Sequence, residues 1–280
     1  MRVLILTVLA MLAFAGNSLL CRIALKGTSI DAASFSSIRI VAGALVLVAI
    51  VRLRAGAGSM SGSWPAALAL AAYSVTFSFA YVNLTAATGS LILFGAVQAT
   101  MIASGLWRGE RLHARQVAGL VMAVAGLVGL MLPGLSAPPL FGSTLMLAAG
   151  IAWGVYTLFG KGHGDPLAVT AGNFARASLL ALIISMVALP SLSLDARGVL
   201  YALLSGALTS GLGYVIWYTA LRGLTVTTAS VVQLSVPVIA AMGGIVLLHE
   251  PLTLRVLVAS AAILGGIALV VVRAASLRTP

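Results

Sequence analysis

Charged side chains are too scarce in this sequence to cover a surface that faces water. Of the 280 residues, 61% are hydrophobic and 8% are charged, whereas a soluble domain carries about a quarter charged residues. The sequence therefore predicts a chain whose solvent is the lipid bilayer, and it excludes the soluble fold classes. The five acidic residues are Asp31, Glu110, Asp165, Asp195 and Glu250.

Apolar runs of bilayer-spanning length recur along the whole chain. An α-helix rises about 1.5 Å per residue, so about 20 apolar residues cross a hydrocarbon core about 30 Å thick. The N-terminal run has the basic start of a cleavable signal peptide, but it stays apolar to Leu25 and is interpreted as the first helix. We predict an all-α integral membrane protein with ten transmembrane helices, near residues 3–25, 32–51, 65–87, 89–107, 116–132, 140–160, 167–189, 198–221, 225–248 and 256–272.

The basic residues indicate how these helices are oriented. The formal charge of +11 would suit a nucleic-acid partner, but the sixteen Lys and Arg stand singly or in pairs between apolar runs. That spacing is typical of membrane topology, so no nucleic-acid partner is expected. With the N-terminus inside the cell, cytoplasmic segments hold ten of the sixteen. We therefore expect both termini in the cytoplasm.

The two halves of the chain repeat one another. Gly109-Glu110-Arg111-Leu112 matches His249-Glu250-Pro251-Leu252 at an offset of 140 residues. The halves, residues 1–135 and residues 136–280, each contain five spans, so the second half enters the bilayer upside down relative to the first. Inverted repeats of this kind place a solute site near the bilayer midplane, at the interface of the repeats.

Each half also carries the same ordered set of short motifs. These are an aromatic-Gly/Ala segment, a basic residue that ends the first helix, an Arg early in the second helix, and Glu-x-Leu before the fifth. In the second half they are Trp153-Gly154, Lys161, Arg176 and Glu250-Pro251-Leu252, and in the first half Phe14-Ala15, Arg22, Arg39 and Glu110-Arg111-Leu112. On these residues the chain resembles the drug/metabolite transporter superfamily, EamA type, over essentially its whole length.

The resemblance implies the drug/metabolite transporter fold of two inverted five-helix repeats, solute transport, and a bacterial inner membrane as location. Within the superfamily, the overall pattern is most similar to the YddG-like aromatic amino-acid exporters. Two positions depart from the family pattern. Phe14 stands where the second half has a Trp, and Val97 stands where the fourth helix of the other half has Pro237.

Aromatic side chains form two stripes within the spans. Tyr73, Phe77 and Tyr81 recur every four residues in the third helix, and Tyr214, Trp217 and Tyr218 share a face of the eighth. One interpretation is an aromatic belt at the lipid interface, which would suit Tyr81 and Tyr218. A mid-span Tyr needs a hydrogen-bond partner, so the other interpretation is the lining of a cavity.

Polar side chains within the spans form a second candidate set. Unpaired amides are costly in hydrocarbon, so Asn17, Gln98 and Gln233 should point inward, where they bind a solute or join helices. Pro237 lies one turn after Gln233 and cannot donate a backbone hydrogen bond, so it frees a backbone carbonyl of the preceding turn. It is predicted to act as a hinge. The predicted substrate-binding residues are Asn17, Tyr73, Phe77, Tyr81, Phe94, Gln98, Trp153, Tyr214, Trp217 and Gln233.

Two arginines lie within predicted spans. They are Arg39 and Arg176, at matching places in the second and seventh helices. Either they bind a substrate carboxylate, or they have a structural or gating role. We assign the structural or gating role to both arginines, and also to Glu110 and Glu250. Arg22 and Lys161 lie at helix ends and are expected to reach the interface. No carboxylate lies mid-span, so the sequence does not support a proton relay.

The leading hypothesis is a secondary transporter that exports a small amphipathic metabolite, with aromatic and other neutral amino acids as the best guess. It would work by alternating access at a midplane cavity between the repeats. The alternatives are a carrier of the same fold for drugs or other metabolites, and a channel that does not alternate. No enzyme constellation, cofactor or metal site is expected, and a monomer is favoured over dimerisation through Gly150-x-x-x-Gly154.

Overall fold

The computed structural model describes residues 1–54, 60–107, 109, 113–132, 134, 137–160, 164–224, 229 and 232–276, with side chains through residue 269. Within these residues the regular structure is helical and no strand occurs. The helices are α1 (Arg2–Gly27), α2 (Ala32–Leu53), α3 (Trp64–Asn83), α4 (Ala86–Trp107), α5 (Ala114–Met131), α6 (Leu140–Gly160), α7 (Pro166–Val187), α8 (Ala196–Leu221), α9 (Ser235–Leu248) and α10 (Leu254–Ser276).

Helices α1 to α8 are each long and apolar enough to cross a bilayer, and α9 and the fully described part of α10 are shorter apolar helices. The predicted fold class, an all-α membrane protein, is confirmed. The first eight predicted spans agree with α1–α8 to within four residues at each end. The predicted span 225–248 lies partly outside the described residues, which place α9 at Ser235–Leu248.

Aspartate side chains cap the N-termini of three of the helices. Asp31 accepts a hydrogen bond from the backbone N–H of Ser34 at 2.9 Å, and Asp195 accepts one from Gly198 at 2.9 Å. Asp165 does the same for Leu167 at 3.4 Å. A side-chain oxygen at this position satisfies a backbone donor that the helix leaves free. Three of the five acids therefore lie at helix starts rather than within the spans.

The packing follows the inverted repeat. Helix α6 packs on α3 and α4, and its counterpart α1 packs on α8 and α9. Helix α2 packs on its own counterpart α7, and α5 packs on α10. We call the side of the molecule at which α1 begins the near face, and the side at which α1 ends the far face.

Glycines permit two of these close contacts. A Cβ on Gly150 would lie 2.5 Å from the backbone oxygen of Leu93, and one on Gly154 would lie 2.8 Å from Thr100. The Gly150-x-x-x-Gly154 motif is thus used to pack α6 on α4 within the chain.

Helix α8 is not a uniform α-helix. Residues Ser205–Leu212 form a π-helical segment between two α-helical parts, Ala196–Leu204 and Gly213–Leu221. A π-helix closes its hydrogen bonds over five residues rather than four, and such segments are frequent at functional sites. Gly206, within this segment, lies against the backbone of Arg39 in α2.

Two predictions about arginines are wrong. Counted from the capping residues Asp31 and Asp165, Arg39 is eight residues into its helix and Arg176 eleven, so Asn173 is the counterpart of Arg39. Arg22 does not reach the interface, because its guanidinium is buried in an ion pair with Glu250. Lys161, for which the same was predicted, lies outside the described residues.

Candidate functional site

Nine buried aromatic side chains form a continuous column between the two faces. From the far face inward, ring centroids are separated by 4.8 Å for Tyr81–Phe77, 5.1 Å for Phe77–Tyr73 and 5.1 Å for Tyr73–Trp153. Toward the near face the separations are 5.5 Å for Trp153–Tyr156 and 6.0 Å for Tyr156–Tyr218. We call this set the aromatic column; its members are Phe14, Tyr73, Phe77, Tyr81, Trp153, Tyr156, Tyr214, Trp217 and Tyr218.

The ends of the column are buried. Tyr81 is 0% exposed and Tyr218 is 6% exposed, which excludes the lipid-interface belt for both. Each ring lies against a glycine, Tyr81 against Gly89 of α4 and Tyr218 against Gly160 of α6, where a Cβ would overlap the ring. Both predicted stripes therefore face the protein interior.

A cavity of about 320 Å³ lies at the near-face end of the column. It is enclosed by the last turns of α6 and α8, the first turns of α7 and the segment before α9, and exposed Gly164 and Arg222 lie at its rim. Its inner wall includes Tyr156, Trp217 and Gln233. The volume falls in the range of about 300–1,000 Å³ that is typical of small-molecule sites.

Residues of the cavity wall carry buried polar groups. The hydroxyls of Tyr156 and Tyr218 lie beside Asn173 and Thr157, and Nε1 of Trp217 and Oε1 of Gln233 have no hydrogen-bond partner among the described residues. The amide nitrogen of Gln233 donates to the backbone oxygen of Ala229 at 3.1 Å, which leaves its oxygen free to accept. Buried polar groups are usually hydrogen-bonded, so these atoms are suited to a solute.

The column is closed beyond this cavity. Phe14 packs edge-on against Trp153 and Trp217, at 5.6 and 5.7 Å between centroids. The space that remains above them is about 10 Å³ and is lined by Asn17, Tyr73, Phe94 and their neighbours. That is about the room of one water molecule, so a solute cannot pass in this conformation.

A polar cluster lies beside the closed part of the column. Oδ1 of Asn17 is within reach of four donors: Ser205 Oγ at 2.7 Å, Ser210 Oγ at 3.2 Å, Thr209 Oγ1 at 3.4 Å and Arg39 Nη1 at 3.5 Å. We call these five residues the Asn17 cluster.

Arg39 is held in this cluster from three sides. Nη2 of Arg39 donates to the backbone oxygen of Ser74 at 2.7 Å. Its guanidinium carbon lies 4.9 Å from the ring centroid of Phe77 and 5.5 Å from that of Tyr73. The side chain is 1% exposed. The guanidinium therefore makes cation–π contacts with the column itself.

A buried ion pair lies at the far face. Arg22 Nε lies 2.8 Å from Glu250 Oε1, and Arg22 Nη1 donates to the backbone oxygens of Tyr81 and Val82 at 2.8 and 3.0 Å. Oε2 of Glu250 accepts from the N–H of Ala86 at 2.7 Å. Glu250 thus supplements Thr85, the local cap of α4, whose hydroxyl accepts from the backbone N–H of Thr88 at 3.2 Å. The contacts join α1, α3, α4 and the segment after α9.

The remaining predicted residues are more dispersed. Phe94 and Gln98 are buried in α4, and Pro237 is buried in the first turn of α9. Arg176 donates to the backbone oxygens of Ser61 and Gly172, both at 2.9 Å, so it links α7 to the segment before α3. Glu110 lies outside the described residues.

Sequence reasoning missed several residues that line or close these spaces. Tyr156 and Asn173 line the cavity, and Ser205, Thr209 and Ser210 belong to the Asn17 cluster. The repeat could have signalled Asn173, which occupies the place of Arg39 in the other half. The hydroxyls gave no signal, because Ser and Thr within a span usually bond the carbonyl one turn earlier.

Comparison with known proteins gives three findings. Residues 1–132 and 140–272 match the sequence model of the EamA-like transporter family. An uncharacterized protein of Pseudomonas aeruginosa is 56% identical over 96% of this chain and 94% of its own length. A protein of Streptantibioticus cattleyicolor named "Probable terminal-alkyne amino-acid exporter" is 26% identical over 89% of this chain and 86% of its own.

A solved crystal structure agrees with the fold. It covers 97% of this chain and 98% of its own, with a TM-score of 0.66 at 19% sequence identity. At that identity the likeness bears on the helical architecture alone.

Proposed function

The chain belongs to the EamA-like transporter family, and from that premise we propose that it is a secondary transporter that exports small amphipathic metabolites. Aromatic and other neutral amino acids are the candidates that the cavity suits best. The protein would sit in the bacterial inner membrane with both termini in the cytoplasm, so that the near face is the cytoplasmic one. The two repeats, residues 1–135 and 136–280, would rock about the aromatic column.

The observation that carries this proposal is the asymmetry of the two faces. A cavity of about 320 Å³ reaches inward from the near face, while the far face is closed by a buried ion pair. The column between them leaves about 10 Å³. A pore would connect the two faces, whereas a carrier exposes its site to one face at a time. The arrangement supports a carrier that is open to the near face.

The lining of the cavity favours an uncharged or zwitterionic solute. Among the described lining residues, Arg222 at the rim carries the only formal charge. Tyr and Trp rings offer faces to an aromatic or aliphatic side chain and to an ammonium group. Trp217 Nε1 and Gln233 Oε1 would supply one donor and one acceptor. The relative that is named as an amino-acid exporter supports the same class of solute.

The test is flux into proteoliposomes that contain the purified full-length chain. Labelled phenylalanine, tryptophan, leucine and a cationic dye are supplied in turn, with and without a pH gradient. We expect uptake of the neutral amino acids that saturates with concentration and accelerates when the same solute is preloaded inside. Flux that does not saturate and includes all solutes would identify a channel. Flux of the dye alone would identify a drug carrier.

A further inference from the structure

The Asn17 cluster contains more hydrogen-bond donors than its acceptor can satisfy. Four donors converge on Oδ1 of Asn17, from Arg39, Ser205, Thr209 and Ser210. An amide oxygen has two lone pairs, so it accepts about two good hydrogen bonds. Its amide nitrogen is engaged elsewhere, donating to the hydroxyl of Tyr73 at 2.9 Å. Ser205 and Ser210 make the shorter contacts, so the donor left in surplus is Nη1 of Arg39, whose contact with Asn17 is the longest of the four.

The π-helical segment of α8 produces this convergence. Ser205, Thr209 and Ser210 lie four and five residues apart, and the wider turn of a π-helix places such residues on one face. Thr209 has a second acceptor, the backbone oxygen of Ser205 at 2.9 Å. In an ordinary α-helix the three hydroxyls would be spread over a wider arc.

The same cluster holds a positive charge that no carboxylate balances. Among the described residues, the ion pairs are Arg22–Glu250 and Arg54–Asp165, and neither includes Arg39. Nε of Arg39 is buried and has no hydrogen-bond partner. A buried charge within a membrane span is costly unless it is paired, and such charges mark solute or ion pathways.

We propose that the Asn17 cluster is the carboxylate-binding subsite of the transporter, occupied when the column opens. The solute's carboxylate would pair with the Arg39 guanidinium and replace Asn17 Oδ1 as the acceptor of the cluster's hydroxyls, while its side chain stays among the aromatic rings. The inference rests on the proposed function and narrows it, because it requires a carboxylate on every well-transported solute.

The position of the cluster fits this role. Asn17 lines the small space that closes the column, together with Tyr73 and Phe77, the two rings against which Arg39 lies. The cavity that opens to the near face ends at Trp217, and Phe14 bridges Trp217 to that space. A solute that displaces Phe14 from the cavity side would meet Asn17 next.

The experiment compares four ligands that differ at one group. Phenylalanine, 3-phenylpropionate (no ammonium), phenylalaninamide and phenethylamine (both without the carboxylate) compete with labelled phenylalanine for transport. Their binding to the purified full-length protein is measured separately, by the change in intrinsic tryptophan fluorescence. We expect the two carboxylates to compete and bind about 10- to 100-fold better than the two amines, since bonds to charged groups are strong.

Substitutions locate the preference. Arg39→Gln should remove it, weakening both carboxylates about 10- to 100-fold and leaving the amines unchanged. Thr209→Val should weaken the carboxylates about tenfold, the lower end of the value of one hydrogen bond to a charged group. Thr219→Val is the matched control, because Thr219 lies in the same helix and bonds only the carbonyl of Val215, at 2.7 Å. It should leave all four ligands unchanged.

Each outcome decides between the two claims. Transport of phenylalanine and phenethylamine with equal preference overturns the subsite and leaves the transporter. Carboxylate-selective binding that Thr209→Val weakens, without any transport, supports the subsite and overturns the proposed function. Should Arg39→Gln fail to fold, Thr209→Val against Thr219→Val carries the test alone, and equal ligand affinities in these two variants overturn the subsite.

Discussion

Neutralising Glu250 should open the far face, and the chain provides its own reporter. Glu250→Gln keeps the size of the side chain but removes the charge that faces Arg22 at 2.8 Å. The two side chains are 4% and 10% exposed, so their interaction is little screened by water. A hydrogen bond to a charged group contributes about 1.5–3 kcal/mol, which is the amount by which the closed state should be destabilised.

That free energy corresponds to a rise of about 10- to 100-fold in the population open at the far face, at about 1.4 kcal/mol per factor of ten. Cys21 precedes Arg22 in α1, is 0% exposed and is the single cysteine of the sequence. The rate at which a membrane-impermeant maleimide labels Cys21 from the far face therefore measures that population. We expect the rate to rise about 10- to 100-fold in Glu250→Gln.

The control is the second ion pair, on the near face. Arg54 and Asp165 are 59% and 46% exposed, and exposed pairs of this kind contribute about 0–1 kcal/mol. Asp165→Asn should leave the labelling rate unchanged. If Glu250→Gln yields folded protein and labels no faster than the parent chain, the ion pair does not hold the far face closed.

Three further predictions follow from single contacts. Trp217→Ala should reduce the saturable flux per folded protein about two- to tenfold, because Trp217 lines the cavity and an aromatic contact contributes about 0.5–1.5 kcal/mol. Trp64→Ala, at an exposed position (51%), should change it little. A loss of folded yield equal to the loss of flux would show that Trp217 is only structural. Gly150→Ala should lower the free energy of unfolding by about 1–3 kcal/mol through overpacking, which is measured as a lower melting temperature in detergent. Gly129 has open space around it, so Gly129→Ala should be neutral or stabilising. Partial burial disfavours the charged form of Asp31, but hydrogen bonds from Ser34 and Ser193 outweigh it and lower its pKa below 3.8. The stability that the Asp31 carboxylate contributes is fully present above pH 3.8 and is lost as the pH falls through the lowered pKa. Asp31→Ala should therefore reduce the free energy of unfolding by about 0.5–2 kcal/mol at pH 7 and by less at pH 3. A reduction that is the same at both pH values would contradict this.

Much of the fold could be predicted because the bilayer imposes a length. Apolar runs of about 20 residues and their charged or Pro/Gly breaks were enough for eight spans. The start of α4 was placed three residues late, because hydropathy alone was used and Thr85, whose hydroxyl accepts from the N–H of Thr88, was not recognised as its cap. The second contribution, from Glu250, comes from 164 residues later in the chain, and local sequence cannot show it.

The family was predicted correctly, since the EamA-type motifs are repeated in order and the family model matches both halves. The finer resemblance to aromatic amino-acid exporters stays a prediction. So do the roles of the individual site residues and the orientation of the termini.

The site was predictable where side-chain type alone implies burial. The Tyr and Trp stripes and the mid-span amides had to face inward, and they do. Arg22 was misjudged because its long side chain could equally have reached the interface. Ser205, Thr209 and Ser210 were missed because their convergence depends on a π-helical turn, which hydropathy does not reveal.

The ring-on-glycine contacts at the two ends of the column have an energetic consequence. Tyr81 on Gly89 and Tyr218 on Gly160 give each end of the column a ring packed on a glycine. If the two halves were identical, the states open to either side would be related by a two-fold rotation and equal in free energy. A resting preference must therefore arise from positions where the halves differ, and Phe14 against Trp153 is one such difference within the column. Exchanging residues between the halves at these positions would move the resting equilibrium without adding any new chemistry.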